Sequence, residues 1–306
     1  MLIHTAMALL LAFVRLSRLK FLFGGVLAFA LGAMVARFEG FTLGWAAYVH
    51  GQVMVTSFHV MVHYANDYYD RLCDVEGERT PWSGGSGVLV DRGLHPNAAL
   101  FAALLCGAAG LIATFGFALE GAPAPACAGI AIAILAWSYS APPLRLSARG
   151  FGELDTAVIV AMLFPLAGYL TFSPRPDVTL VMSTLPAMCA MFVLMFCVEY
   201  PDADVDLRTG KLNLVARLGR SRARVLVYCA VAGTYVTSLA ACAFGATLFL
   251  PFFVLLTIPL GWGLYAQLRS ERFRDFPQNA DIAARGVAFF VATILGSALA
   301  YAAVVI

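Results

Sequence analysis

Long uncharged stretches divide this sequence. Eight segments contain no Asp, Glu, Lys or Arg: 21–36, 40–66, 93–119, 121–144, 156–174, 178–198, 225–268 and 286–306. A helix needs about 20 predominantly apolar residues to cross a bilayer. Segment 225–268 is too long for one crossing, and Gly245 and Pro251 mark a break between two spans. The sequence therefore predicts an all-α, polytopic membrane protein with about nine transmembrane helices.

Composition agrees with this class. The chain is 61% hydrophobic and only 12% charged, whereas soluble domains are about 25% charged. Of its 20 Lys and Arg residues, all but Arg37 and Arg175 fall in the N-terminal head or in loops on the same side. Such residues accumulate on the cytoplasmic side. We therefore expect a cytoplasmic N-terminus and, after nine crossings, a C-terminus outside; the net charge of +2 does not indicate a nucleic-acid partner.

Two acidic clusters stand at the polar ends of predicted helices. NDYYDRLCD (66–74) follows the second predicted span, and EYPDADVD (199–206) follows the sixth. Each cluster opens one of the two long loops on the predicted cytoplasmic side, and long loops often carry function. Four spans separate the clusters, so they occupy matching ends of two helices of like orientation. This suggests a pseudo-duplicated arrangement of helices.

The acids in these clusters recur in steps of four residues. Asn66, Asp70 and Asp74 share one face if the second helix continues through them, and Asp202 and Asp206 repeat the step. Like charges at this spacing destabilise a helix by about 0.2–0.5 kcal/mol per pair. Carboxylates near a bilayer are costly as well. A bound cation is therefore expected to offset the repulsion.

Oxygen ligands of this kind suit Mg²⁺, which takes one or two carboxylates and completes its shell with water and substrate phosphate. Two facing clusters would hold two such ions with a diphosphate between them, and Glu199 lies on the same side as the second cluster. The alternative is that the acids mark solvated helix ends, balanced by Arg71, Arg79, Arg208 and Lys211. The matched spacing and position of the two clusters favour the metal site.

The clusters resemble the two aspartate-rich motifs of the UbiA superfamily of intramembrane prenyltransferases. Residues 66–74 match the first motif, NDxxDxxxD, and 202–206 match the second, DxxxD. Segment 139–154 resembles the family's loop between helices 4 and 5. Segment 201–219 resembles the branch that prenylates 1,4-dihydroxy-2-naphthoate, although Val198 and the stretch WSGGSGVL (82–89) depart from the usual pattern.

The resemblance implies one transmembrane prenyltransferase domain over residues 1–306, a UbiA-like bundle with both motifs at cytoplasmic helix ends. It implies transfer of a prenyl group from an isoprenyl diphosphate to an aromatic acceptor, quinone-type or naphthoate-like, with Mg²⁺ as cofactor and release of pyrophosphate. The implied metal ligands are Asn66, Asp70, Asp74, Asp202 and Asp206. The implied catalytic residues are Asp67, Asp70, Asp202, Asp206, Arg79 and Lys211. The implied substrate-binding residues are Asn66, Arg18, Lys20, Tyr139, Arg145, Glu199, Tyr200 and Asp204.

Several of these residues have more than one interpretation. Tyr139 and Tyr200 would shield a prenyl cation with their ring faces or serve as interfacial anchors. Asp67 and Asp204 point off the main acidic faces, so they would orient an Arg or Lys or accept a proton. Each basic residue would pair with diphosphate or simply belong to a basic cytoplasmic loop.

Two further features remain open. The SGGSG segment (83–87) would cradle phosphate through backbone N–H groups, but a flexible cap over the site is favoured because the Lys of a nucleotide-binding loop is missing. His59 and His63 stand at i, i+4 and in principle bind zinc. Since no third ligand is evident, a satisfied or acceptor-facing pair is favoured.

Other classes fit less well. A transporter places ionisable groups near the bilayer midplane, whereas the charges here lie at helix ends. A non-catalytic lipid-binding protein would not need paired metal motifs. Within the superfamily, a non-quinone acceptor such as a benzoate, a homogentisate or a polar lipid, or a cyclase that uses only the prenyl cation, stays open.

Overall fold

The computed structural model describes residues 2–74, 80–91, 93–270 and 278–305. Within these ranges the regular structure is entirely helical. The α-helices are α1 (Leu2–Leu16), α2 (Leu19–Phe38), α3 (Trp45–Asp70), α4 (Pro96–Leu119), α5 (Pro123–Ser140), α6 (Gly152–Val158), α7 (Phe164–Leu170), α8 (Val178–Glu199), α9 (Ala203–Thr209), α10 (Leu214–Leu218), α11 (Arg220–Ala241), α12 (Phe249–Leu255), α13 (Ile258–Arg269) and α14 (Gln278–Val305). The all-α expectation is confirmed.

Membrane-spanning helices account for most of the described residues. Seven helical segments are long and apolar enough to cross a bilayer, and the pair α12–α13, bent by 41°, makes an eighth if it counts as one span. Helix α3 occupies the predicted second span but is not among the seven. Its apolar run is interrupted by His50, Gln52, His59 and His63. The count of nine spans therefore stays a prediction.

The helices pack in an interlocking bundle. Helix α3 packs mainly against α4 and α5, α8 against α11 and α14, and α2 against α7 and α14. The fully buried aromatic side chains include Phe29, Phe58, Phe164, Phe196 and Phe289. Large apolar side chains are also exposed along the outer helix faces, among them those of α4 and α11. A lipid environment explains that exposure, since water would not favour it.

Two glycines allow α2 and α7 to approach closely. A Cβ at Gly32 would overlap the carbonyl oxygen of Pro165, and a Cβ at Gly168 would overlap that of Phe29. Small residues permit such backbone approach between membrane helices. Between α6 and α7 the chain forms one turn of π-helix, Ile159–Leu163, just before Pro165, which lacks an N–H donor. This widened turn faces the interior cavity described below.

Candidate active site

The first acidic motif spans the end of α3 and the turn after it. Helix α3 ends at Asp70, so the single helical face predicted for Asn66, Asp70 and Asp74 is not continuous. The turn still brings Asp74 close, because its backbone N–H donates to the Asp70 carbonyl at 3.1 Å. The second motif begins after α8: Asp202 precedes α9, and the N–H of Asp206 donates to its carbonyl at 2.8 Å.

A polar cavity of about 90 Å³ lies between the two motifs. The first motif contributes Asn66 and Asp74 to its lining, and the second contributes Asp202 and Asp206. The rest of the polar lining includes Glu199, Tyr139, Arg18 and Lys211. The structure thus brings together eight side chains that sequence reasoning proposed for the site, although the motifs are more than 120 residues apart along the chain.

Lys211 connects the two motifs. Its Nζ lies 2.8 Å from the Asp70 carboxylate, and both side chains are largely buried. The amide of Asn66 donates to the same carboxylate at 2.8 Å. On the other side, Asn213 donates to Asp206 at 2.6 Å. A cation from the second motif region therefore offsets the charge of an acid in the first.

Arg18 supplies the second buried cation. It forms an ion pair with Asp67, and its guanidinium also donates to the Asn66 side-chain oxygen at 3.3 Å. The side chain and backbone N–H of Ser86 donate to Asp67 as well. Asp67 thus orients an arginine and anchors the loop that carries the SGGSG segment.

The SGGSG segment reaches across to the second motif. The Ser83 hydroxyl and the Gly84 N–H both donate to Asp202 at 2.8 Å. Gly85, with φ of +75°, packs so tightly on the Asp74 carboxylate that a Cβ there would overlap it. The loop is therefore hydrogen-bonded to both motifs and lies over the polar cavity that it lines.

Burial shifts the titration of the acids outside the membrane-spanning helices. Desolvation raises the pKa of Asp74 to about 6 and that of Asp206 to about 6, although Lys211 opposes both shifts. Desolvation and the neighbouring Asp206 raise the pKa of Asp202 to about 7. Burial alone would lower the pKa of Lys211, but Asp70 and Asp206 raise it well above its usual value. The site favours cations strongly.

An apolar cavity of about 160 Å³ adjoins the polar one. The two share Arg18, Asn66, Trp82, Tyr139, Met195 and Val198 in their linings. Most of the remaining lining is aliphatic or aromatic and comes from α2, α3, α8, α14 and the π-helical turn, and His59 and His63 of α3 also line this cavity. Lys20 lies at its mouth, with its Nζ 4.3 Å from the Trp82 ring.

Other predicted residues lie away from these cavities. Tyr200 is fully buried and donates to the Arg220 carbonyl at 3.1 Å. Asp204, whose side chain is 69% exposed, pairs with Arg220 at 2.9 Å. Arg145 adopts a left-handed backbone conformation before a 3₁₀ turn and lines neither cavity. Arg79 lies outside the described residues. The structure therefore does not bring Tyr200, Asp204 or Arg145 to the site.

Sequence reasoning did not assign the contacts of several residues, although it considered the SGGSG segment as a cap over the site. Trp82 lines both cavities, while Ser83 and Ser86 donate to the motif acids Asp202 and Asp67. Glu153 is fully buried, and its carboxylate accepts from the Leu214 N–H at 2.5 Å, which holds α10 against α6. No spacing rule identifies such partners, but a Glu at the start of the apolar helical segment Gly152–Leu170 was a usable signal for Glu153.

The donor set fits a Mg²⁺ ion whose coordination shell is completed by the substrate. Among the described residues, no three His, Cys, Asp or Glu side chains are arranged to hold a metal by themselves. Asn66, Asp74, Asp202 and Asp206, all with oxygen atoms in their side chains, nevertheless line one cavity. Mg²⁺ commonly uses one or two carboxylates and takes its other ligands from water and phosphate. Burial is the main cause of the raised pKa values of Asp74, Asp202 and Asp206, so a bound cation would offset the cost of ionising these buried carboxyls.

Comparison with known proteins places the chain in a family. Residues 2–294 match the model of the UbiA prenyltransferase family, so this chain belongs to that family and the resemblance drawn from its motifs is confirmed. It is 26% identical over 203 residues to the 1,4-dihydroxy-2-naphthoate octaprenyltransferase of Mycobacterium leprae, covering 63% of this chain and 68% of the relative. It is 25% identical over 179 residues to the 2-carboxy-1,4-naphthoquinone phytyltransferase of Synechocystis, covering 57% of each.

Solved structures share the fold. A UbiA homologue from Archaeoglobus fulgidus bound to DMAPP and Mg²⁺ superposes with a TM-score of 0.70 at 17% identity, over 92% of this chain and 98% of that one. A digeranylgeranylglyceryl phosphate synthase gives a TM-score of 0.66 at 12% identity, over 95% and 98% of the two chains. These likenesses show a shared helical fold. The family match and the seven described helices that are long and apolar enough to cross a bilayer indicate an integral, multi-pass membrane protein.

Proposed function

We propose that this protein transfers a prenyl group from an isoprenyl diphosphate to an aromatic acceptor within the membrane and releases pyrophosphate. The observation that carries the proposal is the junction of the two cavities. A cavity lined by acids and two largely buried cations adjoins an apolar one, and six residues line both. That arrangement suits a molecule with a highly charged head and a hydrocarbon tail.

In this proposal the diphosphate occupies the polar cavity. Asn66, Asp70, Asp74, Asp202 and Asp206 would hold Mg²⁺, which would supply positive charge to the leaving diphosphate. Arg18 and Lys211 add fixed cations near the same place. Asp70 pairs with Lys211 in this structure; as a metal ligand it would release Lys211, which would then be able to contact phosphate.

The chemistry separates charge at the junction of the cavities. The allylic carbon–oxygen bond breaks, and its electron pair leaves with the diphosphate. A ring carbon of the acceptor then bonds to the allylic cation, and the ring loses one proton. Tyr139, which lines both cavities, is placed to present its ring face to the cation. The apolar surroundings keep water from capturing the cation first.

The acceptor is proposed to be naphthoate-like, because both named relatives act in naphthoate or naphthoquinone prenylation. This places the protein in menaquinone-type quinone biosynthesis. We further propose one prenyltransferase domain over residues 1–306, with the N-terminus and both motifs cytoplasmic and the C-terminus outside. Reporter fusions to each terminus test this orientation; two termini on one side would contradict nine crossings.

Activity of the purified protein tests the proposal. The protein is incubated with Mg²⁺, a series of prenyl diphosphates and a series of aromatic and polar-lipid acceptors, while pyrophosphate release and product mass are measured. We expect Mg²⁺-dependent transfer to a dihydroxynaphthoate. A product formed only from a benzoate, a homogentisate or a polar lipid would reassign the acceptor, and a cyclised hydrocarbon would indicate a cyclase. If no combination gave either release or binding of diphosphate, the proposed enzyme activity would be excluded.

Variants of the motifs sharpen this test. Asp70→Asn and Asp206→Asn should lower activity by about 10- to 100-fold or more, since each removes a carboxylate from the charged site. Asp204→Asn is the contrast on the same short helix, because Asp204 is exposed and pairs with Arg220. It should retain most of the activity. Equal losses of activity in all three variants would contradict a site that includes Asp70 and Asp206 but not Asp204.

A further inference from the structure

Two histidines of α3 face the apolar cavity. His59 and His63 stand one turn apart, their rings stacked with centroids 5.0 Å apart, and both line that cavity. His59 is closely packed. Its ring centroid lies 5.3 Å from that of Phe164 in an edge-to-face contact, and a Cβ at Gly25 would overlap its Nδ1 atom. The pair is therefore built into the wall of the cavity.

His63 has an unused polar atom. Its Nε2 is buried and makes no hydrogen bond to any of the residues that the structure describes. Buried polar atoms are nearly always paired, so an unpaired nitrogen beside a cavity indicates a partner that arrives with a ligand. Zinc does not fit, because the described part of the chain offers no third side chain to complete such a site.

The position of His63 relative to the reacting carbon follows from helix geometry. His63 precedes Asn66 by three residues on α3, which is about 4.5 Å along the axis at 1.5 Å per residue. Asn66 lines both cavities, so the allylic carbon of a bound diphosphate lies near it. A ring poised for attack sits about 3–3.5 Å from that carbon. Substituents of such a ring reach His63.

We propose that His63 Nε2 hydrogen-bonds a hydroxyl group on the acceptor ring and that His59 positions His63 for this contact. The inference rests on the proposed prenyl transfer and names the group that recognises the acceptor. A prenyl tail has no polar atom to offer, whereas a hydroxyl both donates and accepts and therefore fits either tautomer of the imidazole. A hydroxylated aromatic ring is thus the class of acceptor that His63 would recognise.

The experiment compares acceptors and variants in the full-length protein. One hydroxylated acceptor and its O-methyl ether are assayed with wild type, His63→Leu and His63→Gln, and KM is measured for acceptor and prenyl diphosphate separately. In wild type the hydroxylated ring should have at least about a tenfold higher kcat/KM. His63→Leu should raise the acceptor KM about tenfold or more, abolish that preference, and leave the diphosphate KM unchanged. His63→Gln should restore much of the preference.

A histidine on the same helix supplies the control. His50 stacks on Phe117 and hydrogen-bonds the Ala113 carbonyl at 2.9 Å, outside both cavities, so His50→Gln should leave the acceptor KM unchanged. Unchanged acceptor KM and preference in an active His63→Leu protein would overturn the inference alone. If His63→Leu does not fold, equal use of the two acceptors by wild type overturns it. Failure of wild type to transfer any prenyl group would overturn the proposed function as well.

Discussion

At the scale of single residues, the ion pair between Arg18 and Asp67 allows a direct test by mutation. Both side chains are largely buried, and burial would lower the pKa of Arg18 if Asp67 and Asp74 did not raise it. Breaking a buried pair leaves one charge without compensation, which costs about 3–5 kcal/mol. Asp67→Asn should therefore lower the apparent Tm by roughly 5–10 °C and reduce diphosphate binding.

A double-mutant cycle separates the pair from its surroundings. Asp67→Asn combined with Arg18→Gln should cost less than the two single changes together, because both charges are removed. The control is the exposed pair Arg15 and Asp91 at 3.4 Å, for which Asp91→Asn should change stability by less than about 1 kcal/mol. Strict additivity of the Asp67 and Arg18 changes would show that the pair is not coupled.

The individual site residues were only partly predictable from the sequence. Spacing in steps of four located Asn66, Asp202 and Asp206 because a motif repeats a local geometry. Spacing set Asp204 off the acidic face, where it would orient an Arg or Lys, and in the structure Asp204 pairs with Arg220; only the family resemblance implied that it binds substrate. Spacing gave no indication of Ser83, whose partner Asp202 lies 119 residues away. Contacts at such separations depend on packing that no local pattern encodes.

At the scale of elements, the loop over residues 80–87 connects the two motifs. It donates to Asp202 through Ser83 and Gly84 and to Asp67 through Ser86. Gly85→Ala should be damaging for two reasons: its φ of +75° disfavours a side chain, and a Cβ would overlap Asp74. We expect a rise of at least about tenfold in the KM for prenyl diphosphate, measured by pyrophosphate release.

Gly121 provides the matched control for this change. Its φ of +77° imposes similar backbone strain, but nothing lies within 4 Å of the position of a Cβ there. Gly121→Ala should therefore alter stability slightly and leave both KM values unchanged. If the two alanine variants behaved alike, backbone strain alone would account for the effect, and the contact between Gly85 and Asp74 would not matter to the site.

The elements themselves were predicted unevenly. Uncharged stretches identified the helical class because a bilayer tolerates few charges in a span. The condition that the helix continues through Asp74 is not met, because α3 ends at Asp70. The turn that follows still brings Asp74 to the cavity that Asn66 lines, without a continuous helical face. The π-helical turn at Ile159–Leu163 was not predicted from the sequence; it lies just before Pro165, which has no N–H to donate, and beside the close approach of α7 to α2.

At the scale of the whole molecule, the buried acids make stability depend on pH. Burial raises the pKa of Asp74, Asp202 and Asp206 to about 6, 7 and 6, against about 3.9 in an unfolded chain. Between pH 4 and 7 the folded protein holds protons that the unfolded chain has released. Stability contributed by these groups therefore falls as pH rises through this window and levels off above it.

Binding of Mg²⁺ and a prenyl diphosphate should oppose this loss of stability as pH rises. Without Mg²⁺, the apparent Tm in detergent should be lower at pH 7.5 than at pH 5, and a variant with Asn at positions 74, 202 and 206 should show a smaller difference. Addition of Mg²⁺ with a non-hydrolysable prenyl diphosphate should raise the Tm more at pH 7.5, where the carboxylates are ionised and available to the cation. A Tm that rises with pH in the absence of Mg²⁺, or a larger ligand effect at pH 5, would contradict a site whose acids are held ready for a cation.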